Sequence, residues 1–143
     1  METDTKIQLE NFATFKHATI TFNKELAVAV ITATNTYIPM DEFKNIFLEA
    51  EKLILKEKIT KLVFDKRALK IFHQPSMEWY FIEWKDKMYN FGLTKHRKLL
   101  PNDKIFRESV KIGREKIMRE HPNLNIQRLD IQYFEHFEDA LTK

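Results

Sequence analysis

"KLVFDKRALKIFHQPSMEWYFIEW", residues 61–84, contains the succession of elements that decides the fold. Its start, "KLVF", is a short apolar strand, and a basic loop with one histidine follows it. Pro75 and Ser76 then open a helix that Gly92 is well placed to end. Since another helix precedes this strand, the series strand, helix, strand predicts parallel pairing through a right-handed crossover.

The preceding part of the chain predicts a hairpin and a helix. In "ATITFNKELAVAVITA", residues 18–33, an alternating segment and a polar turn lead into a nearly continuous apolar run. This pattern predicts a hairpin whose first strand is an edge and whose second strand is buried on both faces. Beyond Pro39 and Asp41 the apolar residues follow the spacing of a first helix, namely Phe43, Ile46, Phe47, Ala50, Leu53 and Ile54.

The remainder of the chain continues the alternation of helices and strands. The helix after Pro75 has a predicted core face of Met77, Tyr80, Phe81, Trp84, Met88 and Phe91. "KHRKLL", residues 95–100, is a short and highly charged strand, and a third helix spans about 102–121. Within that helix Gly113 lies on the core face, where it would let the backbone approach the sheet. An alternating strand near Ile131 and a short helix, "FEDALTK", complete the chain.

The predicted order is β-β-α-β-α-β-α-β-α, which defines an α/β protein. We expect a single mixed, mostly parallel sheet of about five strands with about four helices. Residues 1–143 form one domain, in which residues 1–16 are an N-terminal extension or an extra edge strand. A chain of 143 residues with 43% hydrophobic content can bury such a core without disulfides or metals.

Composition excludes several function classes. The chain has no cysteine, which removes thiol nucleophiles, thiolate metal sites and disulfides, and which suits a reducing compartment. The acidic and polar start, "METDTKIQLENF", does not resemble a signal peptide, and the longest apolar run, residues 26–31, is too short to span a bilayer. We therefore expect a cytoplasmic location and no membrane span.

Three segments carry a family resemblance. These are "LVFDKRAL" at the end of the third strand, "LLPNDKIF" leading into the third helix, and the closing "FEDAL". Together with the element order from about Ala18 onward, they resemble the STAS, or SpoIIAA-like, group of small bacterial proteins. The resemblance implies a SpoIIAA-like fold and a non-enzymatic role in protein–protein switching. Its best-known members are anti-sigma-factor antagonists, regulated by phosphorylation of a serine at the start of the helix after the third strand.

The match to that phosphorylation switch is incomplete. After "LVFD" the regulatory members have an adjacent Ser-Ser-Gly type of turn, whereas this chain has "KRALKIFHQPS", which is longer, basic and without glycine. Ser76 is the only serine near the start of the second helix, so it is the candidate phosphorylation site. The alternative is that Ser76 caps this helix. The chain is more similar to the looser relatives called STAS-like or SEC14-like, whose activity is unassigned.

The basic loop before the second helix is a candidate anion site. Lys66, Arg67, Lys70 and His73 would lie near the positive end of the helix dipole and could bind a small anionic or phosphorylated ligand. A nucleotide is disfavoured because the chain has only two glycines and no glycine-rich phosphate loop.

Catalysis and metal binding have weaker support. The five histidines are scattered and form no metal-binding spacing, so we expect no metal and no cofactor. Ser109 lies inside a helix, where a nucleophile elbow has no place. A small enzyme would most simply use His73 with Asp65, although an exposed loop histidine is the plainer interpretation.

Two surfaces could meet a partner. Apolar residues off the core stripes of the first two helices predict either an interface or packing of these helices on each other, and they are Trp79, Ile82, Tyr89, Leu48 and Leu55. A basic stripe on the third helix suits phosphates or anionic lipid, or is simply a solvated face, and consists of Lys104, Arg107, Lys111 and Arg114. This helix belongs to a segment, residues 95–119, whose net charge is +6, against −3 for the rest of the chain.

These patterns rank the functions. The first hypothesis is a non-enzymatic STAS-like domain that acts through contacts with a second copy, as a homodimer, or with another protein. The second is a binder of a small anionic or phosphorylated ligand, or of anionic lipid. A small enzyme is third, and nucleic acid is disfavoured because no nucleic-acid-binding motif is present.

Overall fold

A computed structural model describes residues 7–143. Within that range six strands form one sheet in the order β1-β2-β3-β4-β5-β6. The pairs β1–β2 and β2–β3 are antiparallel, and the later neighbours are parallel. The strands are β1 (Glu10–Thr14), β2 (Ala18–Asn23), β3 (Val28–Ala33), β4 (Lys61–Asp65), β5 (Lys95–Leu99) and β6 (Asp130–Tyr133).

The helices fill the crossovers between the parallel strands. Helix α1 spans Met40–Glu57, α4 spans Lys104–Glu120, and α5 spans Phe137–Thr142. Between β4 and β5, helix α2 (Gln74–Glu78) continues through a π-helix (Trp79–Lys85) into α3 (Asp86–Tyr89) without a break. A short 3-10 helix, Asn125–Arg128, precedes β6. We count α2, the π-helix and α3 as one continuous helix and leave out the short 3-10 helix. The described residues then contain four helices.

The α/β class and the mixed sheet agree with the prediction, but the sheet has six strands rather than five. The additional strand is β1, which lies within residues 1–16, and residues 1–6 are outside the described range. We predicted that β2, the first strand of the hairpin, is an edge strand. This prediction was wrong, because β1 pairs with β2 and forms the edge of the sheet. The register of β1 shifts between Asn11 and Ala13, and such a bulge interrupts the alternation by which a strand is recognised.

The two faces of the sheet carry cores of unequal size. The crossover helices α1, α2 to α3, and α4 all cover one face, as successive right-handed crossovers in one direction require. Phe47, Phe64 and Tyr80 meet in this main core, with ring centroids 4.5 to 5.8 Å apart. Burying each such ring stabilises the fold by about 1.5–3 kcal/mol. The smaller core, under α5, contains Val28, Val30, Val63, Leu99, Ala140 and Leu141.

Two predicted core details differ in the structure. Phe91 is 57% exposed rather than buried, because α3 ends at Tyr89 and the chain turns at Gly92, whose φ is +98°. Gly113 packs against α2 and the loop before α2, not against the sheet. A Cβ atom at Gly113 would lie 2.5 Å from Gln74 Oε1 and 3.1 Å from Met77 Sδ, so glycine allows α4 to cross α2 closely.

Candidate functional site

A cavity lies where β3 and β4 end and α2 begins. Its volume is about 50 Å³, enough for a few water molecules or a group of similar size. The carboxyl ends of parallel strands are the usual place for ligands in open α/β sheets. The wall is mainly apolar and aromatic, and its polar members come from the loop and helix that follow β4. The lining residues are Tyr37, Ile38, Phe43, Phe64, Lys66, Leu69, Ile71, Phe72, His73, Ser76, Met77, Tyr80 and Phe106.

Lys66 is the cationic residue in this wall. It follows β4 directly, where its backbone N–H donates to the Leu99 carbonyl oxygen (2.8 Å), and it is 7% exposed. Its Nζ lies 4.9 Å from the centre of the Phe64 ring. No carboxylate within residues 7–143 pairs with it, and burial lowers the pKa of Lys66 to about 8. The side chain therefore remains largely protonated at neutral pH, with its charge uncompensated.

His73 and Ser76 form a local pair beside Lys66. His73 is the N-cap of α2, and its Nδ1 accepts a hydrogen bond from the Ser76 backbone N–H (3.3 Å). The capping group is thus His73, not Ser76 as the alternative sequence interpretation had it. Because Nδ1 accepts this bond, the neutral ring carries its proton on Nε2. The Ser76 hydroxyl lies 2.8 Å from Nδ1 and 3.1 Å from Met40 Sδ.

The structure divides the predicted anion-binding residues into two groups. Lys66 and His73 line the cavity. Arg67 turns instead to Asp65, to which its guanidinium donates two hydrogen bonds of 2.9 and 2.8 Å. Lys70 is exposed, and its backbone N–H donates to the Thr36 carbonyl oxygen. His73 and Asp65, the pair suggested for a small enzyme, do not meet at the cavity, because Asp65 accepts hydrogen bonds from Arg67 and only His73 lines the wall.

Ser76, the candidate phosphorylation site, is only 6% exposed. Its hydroxyl is occupied by His73 and Met40. A kinase could reach this oxygen only after the loop before α2 moved aside. The phosphorylation hypothesis thus requires a conformational change that ligand binding at the cavity does not.

A second polar cluster lies behind the cavity, beneath the π-helix. We call it the inner amine cluster, and it consists of Lys85, Lys98, His96 and Tyr80. Lys85 and Lys98 each place Nζ 4.5 Å from the centre of the Tyr80 ring, and the Tyr80 and His96 rings lie 6.4 Å apart. Tyr80 also lines the cavity, so it separates the two sites. Within residues 7–143, both amines, both imidazole nitrogens and the Tyr80 hydroxyl are buried without a hydrogen-bond partner.

Strand register explains how these charges enter the core. In the parallel pairing of β4 with β5, His96 lies beside Leu62 and Lys98 beside Phe64, so both point into the main core. Arg97 points to the opposite face, where it donates to the Asp130 carbonyl oxygen (2.8 Å) and to the Lys143 carbonyl oxygen (2.9 Å). Both terminal nitrogens of Arg97 on the α5 face are therefore hydrogen-bonded, and only its Nε lacks a partner among the described residues, whereas the Lys98 amine and both His96 ring nitrogens on the main-core face have none.

Burial controls protonation in the inner amine cluster. Desolvation is the main cause that lowers the pKa of both Lys85 and Lys98 well below 10.5, and neighbouring cations, including Lys66, lower the two values further. The same two causes lower the pKa of His96, whereas burial raises the pKa of Tyr80. A neutral amine pair and a neutral imidazole are the forms that this environment favours.

Sequence reasoning missed the inner amine cluster. A strand with the sequence "KHRKL" is typical of an exposed edge, and nothing in its composition indicates that β6 pairs with it and that the π-helix covers it. The alternation of side chains along a strand does place His96 and Lys98 on the same face. This alternation is the feature of the sequence that could have grouped the two residues. Lys85 gave no signal because the π-helix rotates it inward beside Trp84, off the regular helical stripe.

The predicted interface residues do not share one environment. Trp79 and Ile82 are half-buried and pack against the main core. The Trp79 ring lies 6.2 Å from Phe43 and 6.3 Å from Phe47, so it joins the π-helix to α1. Tyr89 is also half-buried. In contrast, Leu48 and Leu55 on the outer face of α1 are 45% and 47% exposed.

The predicted basic stripe on α4 is partly engaged within the chain. Arg107 pairs with Glu135 (3.1 Å) and donates to the Pro101 carbonyl oxygen, and Arg114 lies 5.3 Å above the Tyr133 ring. Lys104 and Lys111 are exposed. Arg107, Lys111 and Arg114 line one side of a groove between α4 and β6.

Comparisons with protein-family models, with curated proteins and with solved structures found no match. Across residues 7–143, no helix is both long and apolar enough to cross a membrane. The same part of the chain contains no group of three or more histidine, aspartate or glutamate side chains arranged to hold a metal ion.

Proposed function

We propose that this protein is a binding domain for a small anion, whose carboxylate or phosphate group enters the cavity beside Lys66. The observation that carries the proposal is a buried ammonium group in a cavity wall without a carboxylate partner among the described residues. Buried charges in proteins are normally paired, so an unpaired one indicates a ligand of opposite charge.

The neighbouring groups suit an oxyanion. His73 and Ser76 add hydrogen-bonding groups to the same wall, and the aromatic remainder makes the surroundings less polar and so strengthens the attraction to Lys66. A volume of about 50 Å³ fits a group of a few heavy atoms. The ligand is therefore a small oxyanion, or a larger molecule that inserts only its charged end.

The proposal is compatible with a regulatory role. The element order supports a STAS-like domain, as the sequence resemblance implies, and such a domain would act by presenting different surfaces with and without ligand. The loop between β4 and α2 forms both the cavity wall and an outer surface, with Ile71 52% exposed. A ligand bound in the cavity would therefore favour one conformation of that loop over others.

The direct test is an NMR titration of the isotopically labelled protein with acetate and with phosphate. We expect saturable shifts of amides near the cavity, and we expect Lys66→Met to weaken binding by about tenfold or more, about 1.4 kcal/mol, because the charge is lost. Lys70→Met is the matched control, since it removes a lysine from the same loop but not from the cavity wall. Equal affinities of wild type and Lys66→Met would contradict the proposal.

A second candidate function is association with another copy or another protein through α1. It is favoured by Leu48 and Leu55, which are seven residues apart on the same side of the helix and are nearly half exposed. Combined substitution of both by serine should abolish a dimer in light scattering after gel filtration, without lowering the melting temperature. A monomeric wild type that also binds no partner through α1 would exclude this function.

A further inference from the structure

Three lysine side chains lie along two neighbouring aromatic rings, those of Phe64 and Tyr80, whose centroids are 5.8 Å apart. None of the three pairs with a carboxylate within residues 7–143. Lys66 Nζ is 4.9 Å and Lys98 Nζ 5.9 Å from the centre of the Phe64 ring. Lys98 and Lys85 then share the Tyr80 ring, each at 4.5 Å from its centre. The row runs from the cavity wall into the core, and all three of its lysines are buried.

Burial changes the chemistry of the Lys66 amine. An ammonium group that is desolvated loses its proton more readily, and the resulting neutral amine is a nucleophile. Of the three lysines, only Lys66 lines the cavity, so it is the one that an entering molecule would meet. The Lys66 pKa of about 8 leaves a fraction of neutral amine near pH 7 that an exposed lysine lacks.

One further group of the cavity wall can exchange protons. The Tyr80 ring contributes to the wall, but its hydroxyl is fully buried and does not open to the cavity. His73, whose Nδ1 is occupied by the Ser76 pair, retains Nε2 for exchange. An amine and an imidazole thus border one small cavity.

We propose that the ε-amine of Lys66 forms an imine with a small 2-oxo carboxylate bound in this cavity. The proposal rests on the anion-binding function, and it specifies the chemical class of the anion. A 2-oxo carboxylate combines the oxyanion that the cavity attracts with a carbonyl carbon that an amine attacks, in a molecule of few heavy atoms.

The reaction needs no oxidant or reductant. The lone pair of Lys66 Nζ forms a bond to the carbonyl carbon, and the carbonyl oxygen takes up a proton from water. The nitrogen then loses a proton, and the hydroxyl leaves as water after a second protonation. A C=N bond and one water molecule result, and the step is reversible by hydrolysis.

The experiment uses the intact protein with glyoxylate, the smallest 2-oxo carboxylate, at a concentration below that of the protein, followed by borohydride. Borohydride reduces the imine to a stable secondary amine, which adds a carboxymethyl group to one lysine. Peptide mapping by mass spectrometry locates the group. We expect Lys66 to be labelled about tenfold faster than any exposed lysine, and excess acetate to slow that labelling by competing for the cavity.

Two variants test whether the label depends on the Lys66 amine. Lys66→Arg cannot form an imine, so it should lose the preferential label, while the exposed lysines are labelled as in the wild type. Lys70→Met should retain the label on Lys66. Circular dichroism verifies that each variant is folded.

The outcomes are distinguishable from those of the anion-binding test. Labels spread evenly over exposed lysines, or a preferred label on Lys85 or Lys98, would overturn the imine assignment even if acetate binds at the cavity. Preferential labelling of Lys66 that acetate does not slow would retain the imine and reject the anion site.

Discussion

Neighbouring residues of β5 carry their charges into opposite environments. Arg97 is held by backbone carbonyl oxygens of Asp130 and Lys143, and Lys61 on the same face donates to the Leu141 carbonyl oxygen (2.8 Å). These bonds secure α5, since cations stabilise the carboxyl end of a helix. Lys98 points to the other face and meets the rings of Tyr80 and Phe81. Basic side chains thus stabilise the α5 face of the sheet and destabilise the main-core face.

This difference predicts opposite mutational effects at adjacent positions. Lys98→Met should raise the free energy of unfolding by about 1–3 kcal/mol at neutral pH, because it replaces an unpartnered buried amine by an apolar chain of similar length. Arg97→Met should lower it by about 2–4 kcal/mol, because carbonyl oxygens lose their donor. Urea denaturation measures both. A destabilising Lys98→Met would show that the amine has a partner that stabilises the fold.

At the scale of elements, the π-helix joins α2 to α3 and brings Lys85 into the core. Its position depends on Trp84, which is 1% exposed and whose indole N–H donates to the Phe47 carbonyl oxygen of α1 (3.0 Å). Widened turns of this kind occur frequently at functional sites. The geometry of the inner amine cluster is therefore coupled to the contact between α1 and the π-helix.

Removing the indole donor should weaken this contact. We expect Trp84→Phe to lower the free energy of unfolding by about 1–3 kcal/mol, from the lost hydrogen bond and the smaller ring. Trp79→Phe is the matched control, since Trp79 is half-buried and its indole makes no hydrogen bond within residues 7–143. Thermal denaturation compares the two variants. Equal losses would mean that ring size, not the Phe47 bond, determines the effect.

The elements were more predictable than the environments of their charged residues. Hydrophobic periodicity is a local property, and it located α1, the β2–β3 hairpin and β4 because their apolar residues repeat at regular spacing. β1 lacked that regularity because of its bulge. Burial of Lys98 and His96 depends on which helices cover β5, which is a long-range property, and the inward turn of Lys85 depends on the π-helix. Lys66 and His73 were identified by their position before a helix, whereas the contact of Arg67 with Asp65 was not.

At the scale of the whole molecule, the buried amines make stability depend on pH. Lys66, Lys85 and Lys98 have lowered pKa values when folded but regain about 10.5 when unfolded, so unfolding takes up protons. Stability therefore rises with pH wherever the unfolded state binds more protons. His96, whose pKa is lowered from 6.5, adds to this rise only in the acidic range. Tyr80, whose folded pKa is raised above 10.0, reverses the trend in strongly basic solution.

The expected profile is unusual for a protein of this size. The free energy of unfolding should increase by more than about 1 kcal/mol from about pH 7 to about pH 9.5, where surface ion pairs alone would give little change. Chemical denaturation across that range measures it. The Lys98→Met variant should show a smaller increase, and a flat wild-type profile would mean that the amines remain charged when folded.

Lys66 presents an amine without a carboxylate partner among the described residues to the cavity. The most direct measurement is an NMR titration of the lysine Cε signals, assigned by Lys66→Arg, with and without acetate. We predict a midpoint near 8 for Lys66, well below the usual 10.5, and an upward shift of that midpoint when acetate binds and stabilises the charged form. A midpoint near 10.5 that acetate does not move would contradict the account.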